Sequence, residues 1–150
     1  MAFLKNLAFG FYMSVLAVAA EIVGLVYYFQ NQKTATYGNL AINLVTLWGG
    51  IIGIALIALL VVLSPMKVMR ARIMRSLADI AYVVISVLFM WGMAVLVADR
   101  VNLFAGVLTF NKNPQTMADT RSAVIAIVAM LIAVIFALLS SFMRMSKTEE

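Results

Sequence analysis

Cysteine and histidine are both absent from the 150-residue chain, and charge is scarce at 11% of residues. Without Cys or His there are no disulfides, no thiolate nucleophile and no zinc or iron–sulfur site of the usual kind. A Ser–His–Asp triad and haem held by His or Cys are excluded as well. Proline is nearly missing too, with two residues, both in connections between apolar stretches. A soluble domain carries about 25% charged and about 45–50% apolar residues. Here 65% are hydrophobic and the mean hydropathy is +1.08. These values exclude an ordinary water-soluble globule and point to a single membrane domain over 1–150.

Four apolar stretches stand out, over residues 7–29, 39–63, 77–97 and 122–142. Each approaches the roughly 20 residues that a helix needs to cross about 30 Å of hydrocarbon. In lipid an open chain satisfies its backbone only as helix. The expected fold is therefore all-α: an integral membrane four-helix antiparallel bundle. The 31–38 stretch, Ser64-Pro65 and the Asn111-to-Pro114 stretch mark the connections. Thr116 and Asp119 resemble a capping pair ahead of the fourth span.

Positive charge sets the orientation. Lys67, Arg70, Arg72 and Arg75 cluster in the second connection, and Lys5, Arg144 and Lys147 fall on the same side. Lys33, Arg100, Lys112 and Arg121 fall on the other. Both termini and the basic connection are thus expected in the cytoplasm, facing anionic headgroups. The net charge of +5 is explained this way, and no nucleic-acid partner is expected, because no basic stripe is interleaved with exposed aromatics. Lys5, the apolar run after it and Ala17-Val18-Ala19 resemble a signal peptide, but the run continues to Phe29, so an uncleaved span is expected.

Small and polar residues repeat at near-3.5 spacing, as helix-packing seams do in membranes. The first seam is Gly10, Ser14, Ala17, Glu21, Gly24 and Tyr28. The second is Asn39, Asn43, Thr46, Gly50, Gly53 and Ile57. The third is Asp79, Tyr82, Ser86, Phe89 and Met93, and the fourth runs through Ala126, Ala129, Ala133 and Ser140. Gly49 and Gly53 match the small-residue dimer motif. The seams serve either one monomer or a second copy or partner.

Glu21 is the most informative residue, since an ionised acid at that depth costs several kcal/mol unless paired or hydrated. It either binds a proton or cation in a polar cavity, or is a neutral acid hydrogen-bonded to Thr46 or a carbonyl. Asn43 is expected to bond between helices. Asp79 is read as a first-turn residue near Arg72 and Arg75, and Asp99-Arg100 as headgroup-level. Val101 to Phe110 would make the third helix too long, so a break near Gly106 is expected, with an interfacial or partly re-entrant segment on the outer face that is the best candidate for a partner or ligand contact. Tyr27, Tyr28, Phe29 and Tyr37 fit an outer aromatic belt, while Trp48 and Trp91 are expected inside the bundle.

The segment from Arg100 to Ala126, together with Phe3-Leu-Lys-Asn-Leu-Ala-Phe-Gly-Phe-Tyr12, resembles recurrent segments in uncharacterised small four-helix membrane proteins of Gram-positive bacteria. The resemblance covers about a quarter of the chain and carries no catalytic motif. It implies a bacterial plasma membrane and an accessory role. The expectation is a non-enzymatic multi-pass protein without cofactor or metal. Its partners would be the bilayer and a membrane protein or second copy. The alternative is a small transporter or channel with Glu21 in a polar cavity.

Overall fold

The computed structural model describes residues 8–64, 66 and 72–143. Among them the regular structure is entirely helical: α1 (Phe9–Asn31), α2 (Leu44–Leu63), α3 (Arg72–Thr109) and α4 (Pro114–Ser141). Each helix is long and apolar enough to cross a membrane. Lys67 and Arg70 lie outside the described residues, as does the side chain of Arg72. Arg75 is exposed near the start of α3.

Side-chain contacts fix the arrangement. Along α1, Ser14, Gly24 and Asn31 meet Ser140, Met130 and Asp119 of α4 in turn, so these helices are antiparallel. Along α2, Asn43, Thr46 and Gly49 meet Asp99, Gly92 and Leu88 of α3, again antiparallel. α3 also packs on α4, and α1 on α2, which closes the ring in chain order. The α1–α4 contact is the most extensive and the α1–α2 contact the thinnest. One end of the bundle carries the 32–43 loop and the 110–113 turn. The other end carries the first and last described residues, the end of α2 and the start of α3.

Glycine and alanine decide how closely the backbones approach. A Cβ on Gly24 would stand 2.6 Å from Met130 Cγ and 3.3 Å from the Ala126 carbonyl oxygen. A Cβ on Gly49 would stand 3.1 Å from the Leu88 carbonyl oxygen, and one on Gly53 would run into the Phe89 ring. Gly49 and Gly53, which fit a dimer motif, thus serve the contact with α3 of the same chain. The buried side chains form two apolar clusters. One gathers Ala17, Ile57, Tyr82, Ile85, Phe89 and Ala133, and the other gathers Leu25, Tyr28, Leu96, Ala126 and Met130.

Several expectations are corrected. α3 does not break near Gly106. It continues to Thr109, 38 residues or about 57 Å at 1.5 Å per residue. The extension is held because Phe104 packs edge-on against Tyr37, with ring centroids 6.1 Å apart, and Val107 is buried. α4 begins eight residues before Ser122. Its cap is Asn113, whose side chain accepts from Thr116 N while Thr116 Oγ1 accepts from Asn113 N, with Pro114 as the first helical residue. Asp119 therefore caps nothing in its own helix.

α2 starts at Leu44, which leaves Asn39 to Asn43 in the loop. Asp79 lies two turns into α3 and is exposed, with Ala78 taking the buried position. Trp48 and Trp91 are 53% and 59% exposed on the outside of the bundle, because the glycines beside them (Gly49 and Gly92) claim the inward positions.

Candidate functional site

Two groups of polar side chains lie where burial forces a role on them. The first is a single acid. Gly10, Ser14, Ala17, Glu21, Gly24 and Tyr28 are all on the buried face of α1. Ser14 Oγ donates to the Gly10 carbonyl oxygen at 2.8 Å and lies 2.8 Å from Tyr82 Oη and 3.3 Å from Ser140 Oγ. Two turns further on, Glu21 is 2% exposed and Oε2 has no hydrogen-bond partner. Its neighbour is a glycine: Oε1 lies 2.7 Å from where a Cβ on Gly50 would be.

Glu21 separates the two apolar clusters, of which Ala17 belongs to one and Leu25 to the other. The anticipated bond from Thr46 is absent. Thr46 Oγ1 donates to the Gly92 carbonyl oxygen at 2.9 Å and ties α2 to α3.

The second group forms a cap over the loop end, centred on Arg100. Arg100 is 1% exposed, enclosed by the protein at the loop end of the bundle. Its Nε donates to Asn31 Oδ1 at 2.9 Å, and with the Gln32 amide turned so that its oxygen faces the guanidinium, Nη2 donates to that oxygen at 3.0 Å. The guanidinium carbon lies 5.8 Å from the Tyr28 ring centre and 5.5 Å from that of Tyr37, within cation–π range. These contacts are with neutral groups, amide oxygens and ring faces, while the Asp99 carboxylate acts on the charge electrostatically. Such a contact contributes about 2 kcal/mol when desolvated.

The cap locks the 32–43 loop to three helices. Asn31 Nδ2 donates to the Asp119 carbonyl oxygen at 3.0 Å and to Ser122 Oγ at 2.9 Å. Asp119 Oδ2 accepts from Thr36 N at 3.2 Å and from Thr36 Oγ1 at 2.7 Å, while Oδ1 accepts from Gln115 Nε2 at 2.8 Å. Tyr37 is fully buried, with Oη 3.0 Å from Thr120 Oγ1. Burial pushes the Tyr37 hydroxyl above its ordinary range, against the lowering effects of the Thr120 bond and the Arg100 charge. Gly38 is needed for the turn, since a Cβ there would stand 2.7 Å from the Thr34 carbonyl oxygen.

Asn43 is the N-cap of α2, accepting from Val45 N at 3.0 Å, and it donates to Asp99 Oδ2 at 3.0 Å. Its own N–H donates to Tyr28 Oη at 2.7 Å. Tyr28 and Tyr37 are thus structural posts of the cap and not members of an exposed aromatic belt.

The cap was not assembled from sequence. One signal was present: continuing the α3 stripe Tyr82, Ser86, Phe89, Met93 by the same three- and four-residue steps reaches Leu96 and then Arg100. Among the described residues no three His, Cys, Asp or Glu side chains gather to hold a metal ion. No protein-family model, curated protein or solved structure matches the chain.

Proposed function

We propose that the chain is a small non-enzymatic integral membrane protein of a bacterial plasma membrane. It crosses the bilayer four times, with both termini and the basic α2–α3 connection on the cytoplasmic side. It acts as an accessory or scaffold subunit that packs with a partner membrane protein or with itself. The interior supports a structural use of its polar groups. Ser14 engages Tyr82 and Ser140, Thr46 engages Gly92, and Arg100 engages Asn31 and Gln32. Gly49 and Gly53, the pair that fits the dimer motif, face α3 of the same chain.

The observation that carries the reading is the overhang of the α3–α4 hairpin. α1 ends at Asn31, beside Arg100, while α3 runs on for nine residues, about 14 Å. The tip leaves Leu108 56% and Phe110 89% exposed. Large apolar side chains at a projecting, ordered end suit a docking surface. Purification of the tagged full-length chain from native membranes in mild detergent tests this. A specific companion, lost in Phe110→Asp, supports the reading, and recovery of the lone chain from both sinks it.

The second reading is a small transporter or channel, favoured by the unpartnered Oε2 of Glu21. Solute or proton flux in proteoliposomes that disappears in Glu21→Gln would establish it in place of the first.

A further inference from the structure

Glu21 is buried, and among the described residues no charged side chain pairs with it. Its Oε2 has no partner and its Oε1 rests against the Cα face of Gly50, with the Leu25 side chain bordering the same glycine. α2 carries no charged residue along its length, so it offers no counter-charge. On α3 the ionisable groups toward the bundle interior are Tyr82, engaged with Ser14 two turns away, and Arg100, engaged with Asn31 at the loop end. Asp79 and Asp99 are exposed near opposite ends of the bundle. On α4 the described charged groups, Asp119 and Arg121, lie in its first turns. On α1 itself, Tyr28 belongs to the cap through its bond from Asn43 N.

A carboxylate left alone among C–H groups is unstable, whereas a neutral carboxyl tolerates the site. The seam that Glu21 occupies is also the one that can yield. α1 is held to α4 by close backbone contact at Gly24, and α2 to α3 at Gly49 and by the Thr46 bond. Of the four contacts round the ring, that between α1 and α2 is the slightest; Glu21 sits in it, and the bond from Asn43 N to Tyr28 Oη joins the two helices at the loop end.

We propose that Glu21 is a proton-binding site built into the α1–α2 seam. The neutral carboxyl closes the seam against Gly50, and loss of the proton to water opens it. The proton is the only species exchanged, and no bond other than the carboxyl O–H is made or broken. This site does not depend on the accessory role. A monomer with no partner would still show it.

The native chain has no cysteine, so one thiol reports the seam without interference. Ile54→Cys, one turn beyond Gly50 on α2 and half-buried, is introduced into the full chain in lipid nanodiscs. Labelling by a water-soluble maleimide is followed against pH in two backgrounds, Glu21 and Glu21→Gln. Taking the ratio of the two rates cancels the thiol's own titration. The ratio should rise about tenfold per pH unit until ionisation is complete, because the ionised fraction does so below the midpoint. Over the same range the infrared band of a protonated carboxyl should vanish, and it should be missing at every pH in Glu21→Gln. Gly50→Ala, which spoils the seat of the neutral acid, should move both transitions to lower pH. If Glu21→Gln fails to accumulate, Glu21→Met serves as the neutral reference.

A flat ratio, a carboxyl band that never appears, or a labelling transition that persists in the neutral variant would overturn the proposal.

Discussion

Helix α1 meets its two neighbours in different ways. Toward α4 it presents Gly24 to a backbone carbonyl and Asn31 to a hydrogen-bonded corner, so the two main chains lie close and are pinned at the loop end. Toward α2 it presents the flexible end of an acid to a glycine, and Oε2 has no hydrogen-bond partner among the described residues. Both contacts use small residues, yet they are not equivalent. A glycine facing backbone fixes a distance. A glycine facing the end of a side chain leaves a distance that the side chain can reset. The proposed proton site follows from this difference, with the α1–α2 seam as the one that a change in the side chain would reset.

Substitutions can break or sharpen that contrast, with unfolding in lipid as the measurement. Asn31→Leu should cost most, about 3 kcal/mol, because it strips an acceptor from the buried Arg100 guanidinium and two bonds to α4. Gly24→Ala should cost about 2 kcal/mol, since the new methyl meets Met130 and the Ala126 carbonyl oxygen. Gly50→Ala should cost less, about 1 kcal/mol, because Glu21 and Leu25 present movable side-chain ends. Equal losses at Gly24 and Gly50 would contradict the distinction between the seams. Gly106→Ala should stabilise by about 0.8 kcal/mol, as its Cβ would meet nothing within 4 Å and helix interiors favour Ala. Thr46→Val should cost about 0.6 kcal/mol, the average for a helix–helix hydrogen bond in a membrane.

The four apolar helices were legible because hydropathy and length act locally, residue by residue. The buried face of α1 follows from the same kind of signal, small and polar residues from Gly10 to Tyr28 at near-3.5 spacing. The cap was not legible as a unit. Its members come from α1, the 32–43 loop, α3 and α4, and only the folded chain brings Tyr37 under Phe104 and Thr36 onto Asp119.

The continuation of α3 past Arg100 was missed for a related reason. A bilayer-thickness argument ends a helix where the hydrocarbon ends, but a helix packed against a loop and a neighbour has no reason to stop there. Trp48 and Trp91 lie outside the bundle because depth along a span does not decide which face of the helix a residue takes. In an apolar solvent a tryptophan on the outside carries no penalty, and the bundle keeps its inner positions for glycine.

The membrane reading rests on which end of the bundle faces which side. It is tested most directly by single cysteines introduced into the cysteine-free chain at Lys33, Lys112 and Arg70 and probed with an impermeant maleimide on intact cells. The account predicts that Lys33→Cys and Lys112→Cys react at once and that Arg70→Cys reacts only after permeabilisation. Immediate reaction at position 70, with positions 33 and 112 protected, would contradict it.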